Sequence, residues 1–233
     1  MGERGAVLGE LAGEILAVER AHPVRVGVDG CSAAGKTTLG DELADVLRQR
    51  SGREVIRVGL DYFKRAPELR TTYPIDSPES YYFEMYDHAA IRDRLLGPLG
   101  PGGDRRYTAA MREANAQVVL DSPIRTATPQ AVLIADGCFL QRPKLDDGWD
   151  LRIYVHIDFE TVLRRGAARD QAWMASAEAA EERYRNRYIP GERMYVDDVR
   201  PADRAQLVVG NEDPANPTLT RPRPADGLDA RRP

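Results

Sequence analysis

The sequence predicts an α/β fold: a parallel sheet flanked by helices, with a small projecting β-hairpin and a helical lid. Three observations predict it. Apolar, strand-like runs at 24–28, 55–60, 131–135 and 151–157 alternate with stretches of helical periodicity, the pattern of parallel strands joined by crossover helices. The first run feeds Gly30-Cys31-Ser32-Ala33-Ala34-Gly35-Lys36-Thr37-Thr38, which satisfies G-x-x-x-x-G-K-[ST] with a strand before it and an amphipathic helix after it. Two later strand runs finish in a carboxylate, Asp61 and Asp136, at the edge where open parallel sheets collect their ligands.

Chemistry dictates the residue types in that loop. A polyphosphate needs several backbone N–H groups pointing inward, which only a loop without bulky Cβ groups allows. Gly30, Ala33, Ala34 and Gly35 provide it, with Cys31 and Ser32 small beside them. Lys36 offers a compact charge to the terminal phosphates, and Thr37 a hydroxyl to a Mg²⁺ that keeps most of its waters. Thr38 follows in the first helical turn, whose positive dipole end adds to the attraction. The predicted sheet is therefore of the P-loop NTPase type and binds a nucleoside triphosphate.

Bulk properties narrow the class. A chain of 233 residues suits one α/β domain with a large core, taken here as 23–219, preceded by a helix packed on it within 1–22. The formal net charge of −4 leaves no electrostatic footprint for nucleic acid or an anionic membrane. Two cysteines, Cys31 and Cys138, are too few for a disulfide framework and fit a reducing cytoplasm as small packed side chains. No apolar run is long enough to span a bilayer, and no leader pattern precedes the first element. A homo-oligomer is compatible with all of this.

Leu8, Leu11, Ile15 and Val18 recur at helical spacing over 6–20, and Pro23 marks the end of that helix. After Thr37, Leu39, Leu43, Val46 and Leu47 trace one face of a helix that stops at Ser51-Gly52. The strand at 55–60 should lie parallel to the first, so that Asp61 shares an edge with the phosphate loop. There its carboxylate can take the proton of an attacking hydroxyl, or merely form a turn. The segment 64–86 has little periodicity, three prolines and the aromatics Tyr73, Tyr81, Tyr82, Phe83 and Tyr86. Its rings either face a flat or sugar-bearing ligand or pin the segment to the core. Asp87 is placed to cap a short helix carrying Ala89, Ile91, Leu95 and Leu96.

A Gly/Pro linker over 97–103 leads to a strand pair over 105–128 with its turn at Asp121-Ser122-Pro123. Asp136 ends the next strand, where a carboxylate orients the waters of the metal. Asp158 caps a helix bearing Arg164, Arg165 and Arg169. Glu160 can pair with Arg164, but Arg165 and Arg169 lie one turn apart with no acid three or four residues away. A polyphosphate under a closing lid would offset that repulsion. A helix over 177–188 is expected to end at Pro190-Gly191, and a last strand to occupy 206–209. The composition of 221–233 is too poor in apolar residues to order itself, so 220–233 reads as a flexible tail.

With these residues in place the chain resembles the uridine kinase/phosphoribulokinase family of P-loop kinases, and most closely the uridine kinase branch. Beside the phosphate loop, the likeness rests on Asp61-Tyr62-Phe63, Tyr86-Asp87-His88, the strand ending in Asp136-Gly137, and Arg164-Arg165 with Arg169-Asp170. It implies transfer of the γ-phosphoryl of ATP, with Mg²⁺, to a hydroxyl, foremost the 5′-hydroxyl of a nucleoside. Asp61 would be the base and Asp87 would grip the ribose, with Tyr86 beside it. Lys36, Arg165 and Arg169 would neutralise charge, while Thr37 and Asp136 organise the metal. The chain departs from the family where the pyrimidine is read. Counting from Tyr107, the expected aromatic and His are Ala109 and Arg112; Lys64 replaces a common Tyr; and 171–182 has no Arg or Lys. A pantothenate-like, sugar-phosphate or nicotinamide-riboside-like acceptor is the alternative, since Arg112 and Lys64 suit an anion; a nucleotide switch with little chemistry is the other.

Overall fold

The computed structural model describes residues 2–222; the tail expected over 220–233 falls mostly outside the described residues. Its centre is a six-stranded sheet in the order β2-β5-β1-β6-β7-β8, formed by Val24–Gly30 (β1), Val55–Gly59 (β2), Val132–Gly137 (β5), Leu151–His156 (β6), Leu207–Gly210 (β7) and Thr218–Thr220 (β8). All neighbours pair in parallel except β8, which runs antiparallel to β7. Every residue of β1 and β5 is buried, as expected of central strands covered on both faces.

Strand side chains alternate between faces, so the sheet builds two cores. On one side Val24, Val26 and Val28 pack with Leu11 and Ile15 of helix α1 (Glu3–Leu16) and with Leu39, Leu43 and Leu47 of α2 (Lys36–Arg50). On the other, Leu133 and Ala135 meet Leu60, Phe63, Tyr81, Tyr82, Tyr86 and Phe139. Most rings of the irregular segment therefore pin it to the core. Tyr73 and Phe83 stack on each other with centroids 5.6 Å apart, and Phe83 remains exposed.

Several local expectations need correction. The first helix ends at Leu16 rather than Arg20, closed by Ala17. The short helix α3 (His88–Ile91) is capped by Asp87, whose Oδ1 accepts from the Ala90 amide at 2.9 Å, and runs on into a π-helical turn, Arg92–Leu96. The strand pair β3 (Arg106–Tyr107) and β4 (Arg125–Thr126) exists, but the chain reverses at 113–118 and not at Asp121-Ser122-Pro123. The Glu113 amide donates to the Val118 carbonyl at 2.9 Å, and Ala116 takes a left-handed φ of 66°. Nor does the ribbon simply project: the Met111 and Arg112 amides both donate to the Tyr62 carbonyl, at 3.0 Å each, folding it back over the end of β2.

Helices α4 (Phe159–Asp170) and α5 (Ala177–Arg183) come after β6, but Pro190-Gly191 does not terminate the helical run. A π-helical turn, Tyr184–Tyr188, passes directly into α6 (Ile189–Val199). Proline is tolerated there because it sits in the first turn of the new helical segment, where its missing N–H costs little. Gly191 is needed for close approach: a Cβ would lie 2.8 Å from the Tyr81 ring and 2.9 Å from the Pro78 carbonyl oxygen. A last short helix, α7 (Pro201–Arg204), precedes β7. The strand β8 was not expected from the sequence; its three residues are too few to show periodicity. Leu11 is fully buried between α1 and the sheet, so Leu11→Ala should cost about 2–5 kcal/mol of unfolding free energy in urea titrations. A loss of under about 0.5 kcal/mol, the range of surface changes, would mean that α1 is not part of the cooperative core.

Candidate active site

The register of the sheet assembles the site. Val28 of β1 and Gly59 of β2 both lie level with Asp136 of β5, so the loop after β1, Asp61 after β2 and Asp136 come to one edge. The loop itself is held open by backbone geometry. Gly35 has φ 91°, and a Cβ there would sit 2.6 Å from Nδ2 of Asn211, which donates to the Ala34 carbonyl at 2.7 Å. Ala33 also adopts a left-handed φ of 58°. Lys36 is buried, its Nζ donating to the Cys31 carbonyl at 2.7 Å across the mouth of the loop. Burial works against its charge, but Cys138, Glu192 and Asp136 together more than offset this and raise its pKa.

The Thr37 hydroxyl donates to Oδ2 of Asp136 at 2.6 Å. A hydroxyl and a carboxylate are hard oxygen donors, so this pair fits a Mg²⁺ whose remaining ligands are water and phosphate oxygens. Among the described residues no cluster of three or more His, Cys, Asp or Glu offers a self-contained metal site. The other oxygen of Asp136 meets Nη1 of Arg57 at 2.7 Å, and Arg57 also donates to Asp41 Oδ1 at 2.8 Å and the Thr37 carbonyl at 3.2 Å. Sequence reasoning missed Arg57; a guanidinium within a strand otherwise made of Val, Ile and Gly was the available signal.

Asp61 opens onto this edge from a single 3₁₀ turn, Leu60–Phe63, with its side chain 54% exposed. Its Oδ1 accepts from the Tyr86 hydroxyl at 3.2 Å and faces Nζ of Lys64 at 3.2 Å. Burial, and then the Asp61 charge, push the Tyr86 phenol well above its usual range, so it stays protonated. The same hydroxyl accepts from the Cys138 amide at 3.2 Å, tying Asp61 to the strand end that carries Asp136. Lys64 also donates to the Ala114 carbonyl at 3.1 Å, which fastens the ribbon tip over Asp61.

Of the other expected residues, Arg112 is on that ribbon tip, donating to the Ala116 carbonyl at 3.5 Å. Tyr107 is buried at the ribbon's base within the second core, a packing position rather than an open one. His88 is held neutral, its pKa lowered to about 4 by burial and then by Arg142 and Lys144. Arg164 reaches Oγ1 of Thr161 at 3.3 Å and not Glu160. Arg165 donates to the carbonyls of Asn211 and Glu212, at 3.0 and 2.6 Å, while Arg169 pairs with Asp170 at 2.7 Å and meets the Tyr184 hydroxyl at 3.1 Å. The like charges of Arg165 and Arg169 are thus offset within the protein, by main-chain carbonyls and by the next residue, which the three- and four-residue spacing rule did not cover.

Two fully buried acids were also missed. Asp29, inside β1, accepts from the Tyr195 hydroxyl, from Gln141 Nε2 at 3.0 Å and from the Leu140 amide at 3.3 Å. Glu192 of α6 accepts from the Ser32 amide of the phosphate loop at 2.7 Å and from the Tyr81 hydroxyl at 3.2 Å. The Tyr81 hydroxyl lies 3.0 Å from Ser32 Oγ as well. Nothing in the local sequence distinguishes Glu192 from a surface helical acid; only the packing of α6 against the loop reveals it.

Comparison with known proteins places this geometry. No family model matches. The chain is 25% identical over 156 residues to uridine-cytidine kinase B of Dictyostelium discoideum, spanning 65% of this chain and 60% of that relative. Its fold matches a structure described as a possible uridine kinase from Bacillus stearothermophilus, with a TM-score of 0.66 and 21% identity over 88% of this chain and 97% of the other. The chain has the fold of the P-loop kinases. The expected resemblance to the uridine kinase/phosphoribulokinase group of these kinases holds. The same P-loop kinase fold is shared, at a TM-score of 0.57 and 14% identity over 84% of this chain and 88% of the other, by a D-glycerate 3-kinase from Cryptococcus neoformans. Among the described residues no helix is long and apolar enough to cross a membrane.

Burial raises the pKa of Glu192, only partly countered by the Ser32 hydrogen bonds and by Lys36. A raised folded-state pKa means that the contribution of this carboxyl to stability is full below the ordinary carboxylate range and is lost as pH rises through the folded value. Glu192→Gln keeps the shape without the titration, so its melting temperature should gain on that of the wild type as pH rises above the ordinary carboxylate range. A difference that shrinks as pH rises would show instead that the fold prefers the charged form.

Proposed function

We propose that this protein is an ATP- and Mg²⁺-dependent phosphotransferase that moves the γ-phosphoryl group to an alcohol of a small molecule, with Asp61 as the general base. One observation carries the reading: an exposed carboxylate on the edge that holds the phosphate loop, linked through Tyr86 to the strand end of Asp136. A module that only binds nucleotide has no use for a base there.

In this reading the loop amides from Gly30 to Thr38 and the Lys36 ammonium hold the triphosphate. Thr37 and Asp136 hold Mg²⁺, which supplies charge neutralisation at the phosphates. Asp61 accepts the proton of the acceptor hydroxyl as its oxygen attacks the γ-phosphorus and the bond to the leaving ADP oxygen breaks. Lys64 and the Tyr86 hydroxyl fix the orientation of that carboxylate. Arg164, Arg165 and Arg169 exchange their present partners for phosphate oxygens when the lid closes, excluding water. Asp87 and Tyr86 line the approach of the acceptor. The likeness to a uridine-cytidine kinase makes nucleosides the first acceptors to test, although Ala109 and Arg112 supply no ring or imidazole to read a base.

Acceptor-stimulated ADP release, with Lys36→Ala as the blank, tests the assignment. Asp61→Asn should retain ATP binding and lose about two to four orders of magnitude in turnover; near-wild-type turnover would remove Asp61 from the mechanism. Asp136→Asn should raise the Mg²⁺ concentration needed for half-maximal turnover. Nucleotide binding with no stimulation by any acceptor would favour the switch reading.

A further inference from the structure

An open cavity beside α5 is left unused by the groups assigned to phosphate transfer. It has a volume of about 410 Å³ and lies between Asp76, on the irregular segment 64–86, and the 173–187 stretch, with Trp173, Met174, Ala179, Glu182, Arg183 and Arg187 among its walls. Arg187 is its distinctive feature. The side chain is only 7% exposed, its Nε has no hydrogen-bond partner, and among the described residues its single ion-pair partner is Asp76, at 3.4 Å. Arg183 reaches that same Asp76 oxygen at 3.5 Å and donates from Nε to the Tyr188 hydroxyl at 3.0 Å. One long contact to a carboxylate that is itself 74% exposed leaves the Arg187 guanidinium short of the paired, bidentate contact it favours.

The wall carries both signs, Glu182 standing beside the two arginines. The pKa of Arg187 is lowered by burial and then by Arg183, as two guanidinium ions lining one space require. The nearby acid Glu84 is committed elsewhere, accepting from the amides of Thr72 and Tyr73 at 3.0 and 3.3 Å. Only one aromatic ring separates the cavity from the phosphate loop. The Arg187 guanidinium lies 5.9 Å from the centre of the Tyr81 ring, whose hydroxyl is 3.0 Å from Ser32 Oγ.

From this arrangement we infer that the acceptor carries an acidic group, a carboxylate or a phosphate, bound by Arg187 and Arg183 in the place that Asp76 now covers. The inference rests on reading this edge as a kinase site and specifies its substrate class: a hydroxy acid or a sugar phosphate rather than an uncharged nucleoside. A buried guanidinium with an unused donor binds an anion with two oxygens far better than a neutral amide or hydroxyl, because only the anion both satisfies the donor and neutralises the charge. Asp76 acts as an internal stand-in that keeps Arg187 tolerable until the acceptor arrives.

Isothermal titration in the presence of ADP and Mg²⁺ tests this directly, with D-glycerate, pantothenate and ribose 5-phosphate set against their uncharged counterparts glycerol, pantothenyl alcohol and ribose, and against uridine. At least one acid should bind more tightly than its neutral counterpart. Arg187→Gln should weaken that acid by about 10- to 100-fold while leaving ADP affinity unchanged. Asp76→Asn, at an exposed position that should not disturb folding, should strengthen it severalfold. Uridine or the neutral compounds binding as well as the acids, no compound binding, or an acid whose affinity ignores both substitutions would overturn the inference. ADP release measured with the same compounds decides the kinase reading separately, since an uncharged acceptor that is phosphorylated would uphold the reading and sink only the acid preference.

Discussion

The insertion of β5 between β1 and β2 is the constraint on which the site depends. The helix α2 leaves β1 and returns to β2, yet the two strands do not touch; β5 pairs with both, in registers that set Asp136 level with Val28 and Gly59. That placement brings the strand-end carboxylate within a hydrogen bond of Thr37 at the start of α2. It also spaces Asp61 one strand away from the Thr37–Asp136 pair. Had β2 paired with β1 directly, Asp61 would neighbour the loop and Asp136 would lie outside.

Around this edge the protein tolerates a concentration of buried ionisable groups that costs free energy unless each is paired. Asp29, Lys36 and Glu192 are all buried and bonded to loop amides, carbonyls or tyrosine hydroxyls, although Oε2 of Glu192 has no partner among the described residues. Tyrosines are the common link: Tyr81, Tyr86 and Tyr195 each carry a hydroxyl from the second core to a polar group at the sheet's edge. Their rings give the irregular segment and α6 apolar anchorage, while their oxygens bridge acids that would otherwise lack partners. The double reading of the aromatic segment is thereby resolved: most of its rings are core, and the hydroxyls of Tyr81 and Tyr86 reach the candidate site while that of Tyr82 donates to Asp198.

The strand order of function was legible because phosphate chemistry is written locally. A Gly-rich loop between a strand and a helix, a strand ending in Asp136, and Asp61 closing another strand are each short-range signals, and parallel topology does the rest. The features that the sequence hid depend on long-range packing. Arg57, Asn211 and Glu192 reach the loop and the start of α2 from separate elements, and only Arg57, a charge inside an apolar strand, carries any local mark. The ribbon turn is misplaced by local reasoning because Asp-Ser-Pro is strong turn chemistry, whereas the actual reversal relies on Ala116 in a left-handed conformation and on anchorage to Tyr62. Pro190-Gly191 reads as a stop because a lone Pro-Gly commonly is one; the π-helical turn before it shifts the backbone so that the helix can continue.

That uninterrupted run from α5 through the π-helical turn into α6 has a mechanical consequence. Arg187, facing the cavity, and Glu192, gripping the Ser32 amide, stand five positions apart on the same rod. Any tilt that draws the guanidinium towards a newly arrived molecule must also move the acid that rests on the triphosphate seat. The wall of the cavity and the support of the Ser32 amide are thereby mounted on one helical run rather than on two independent elements.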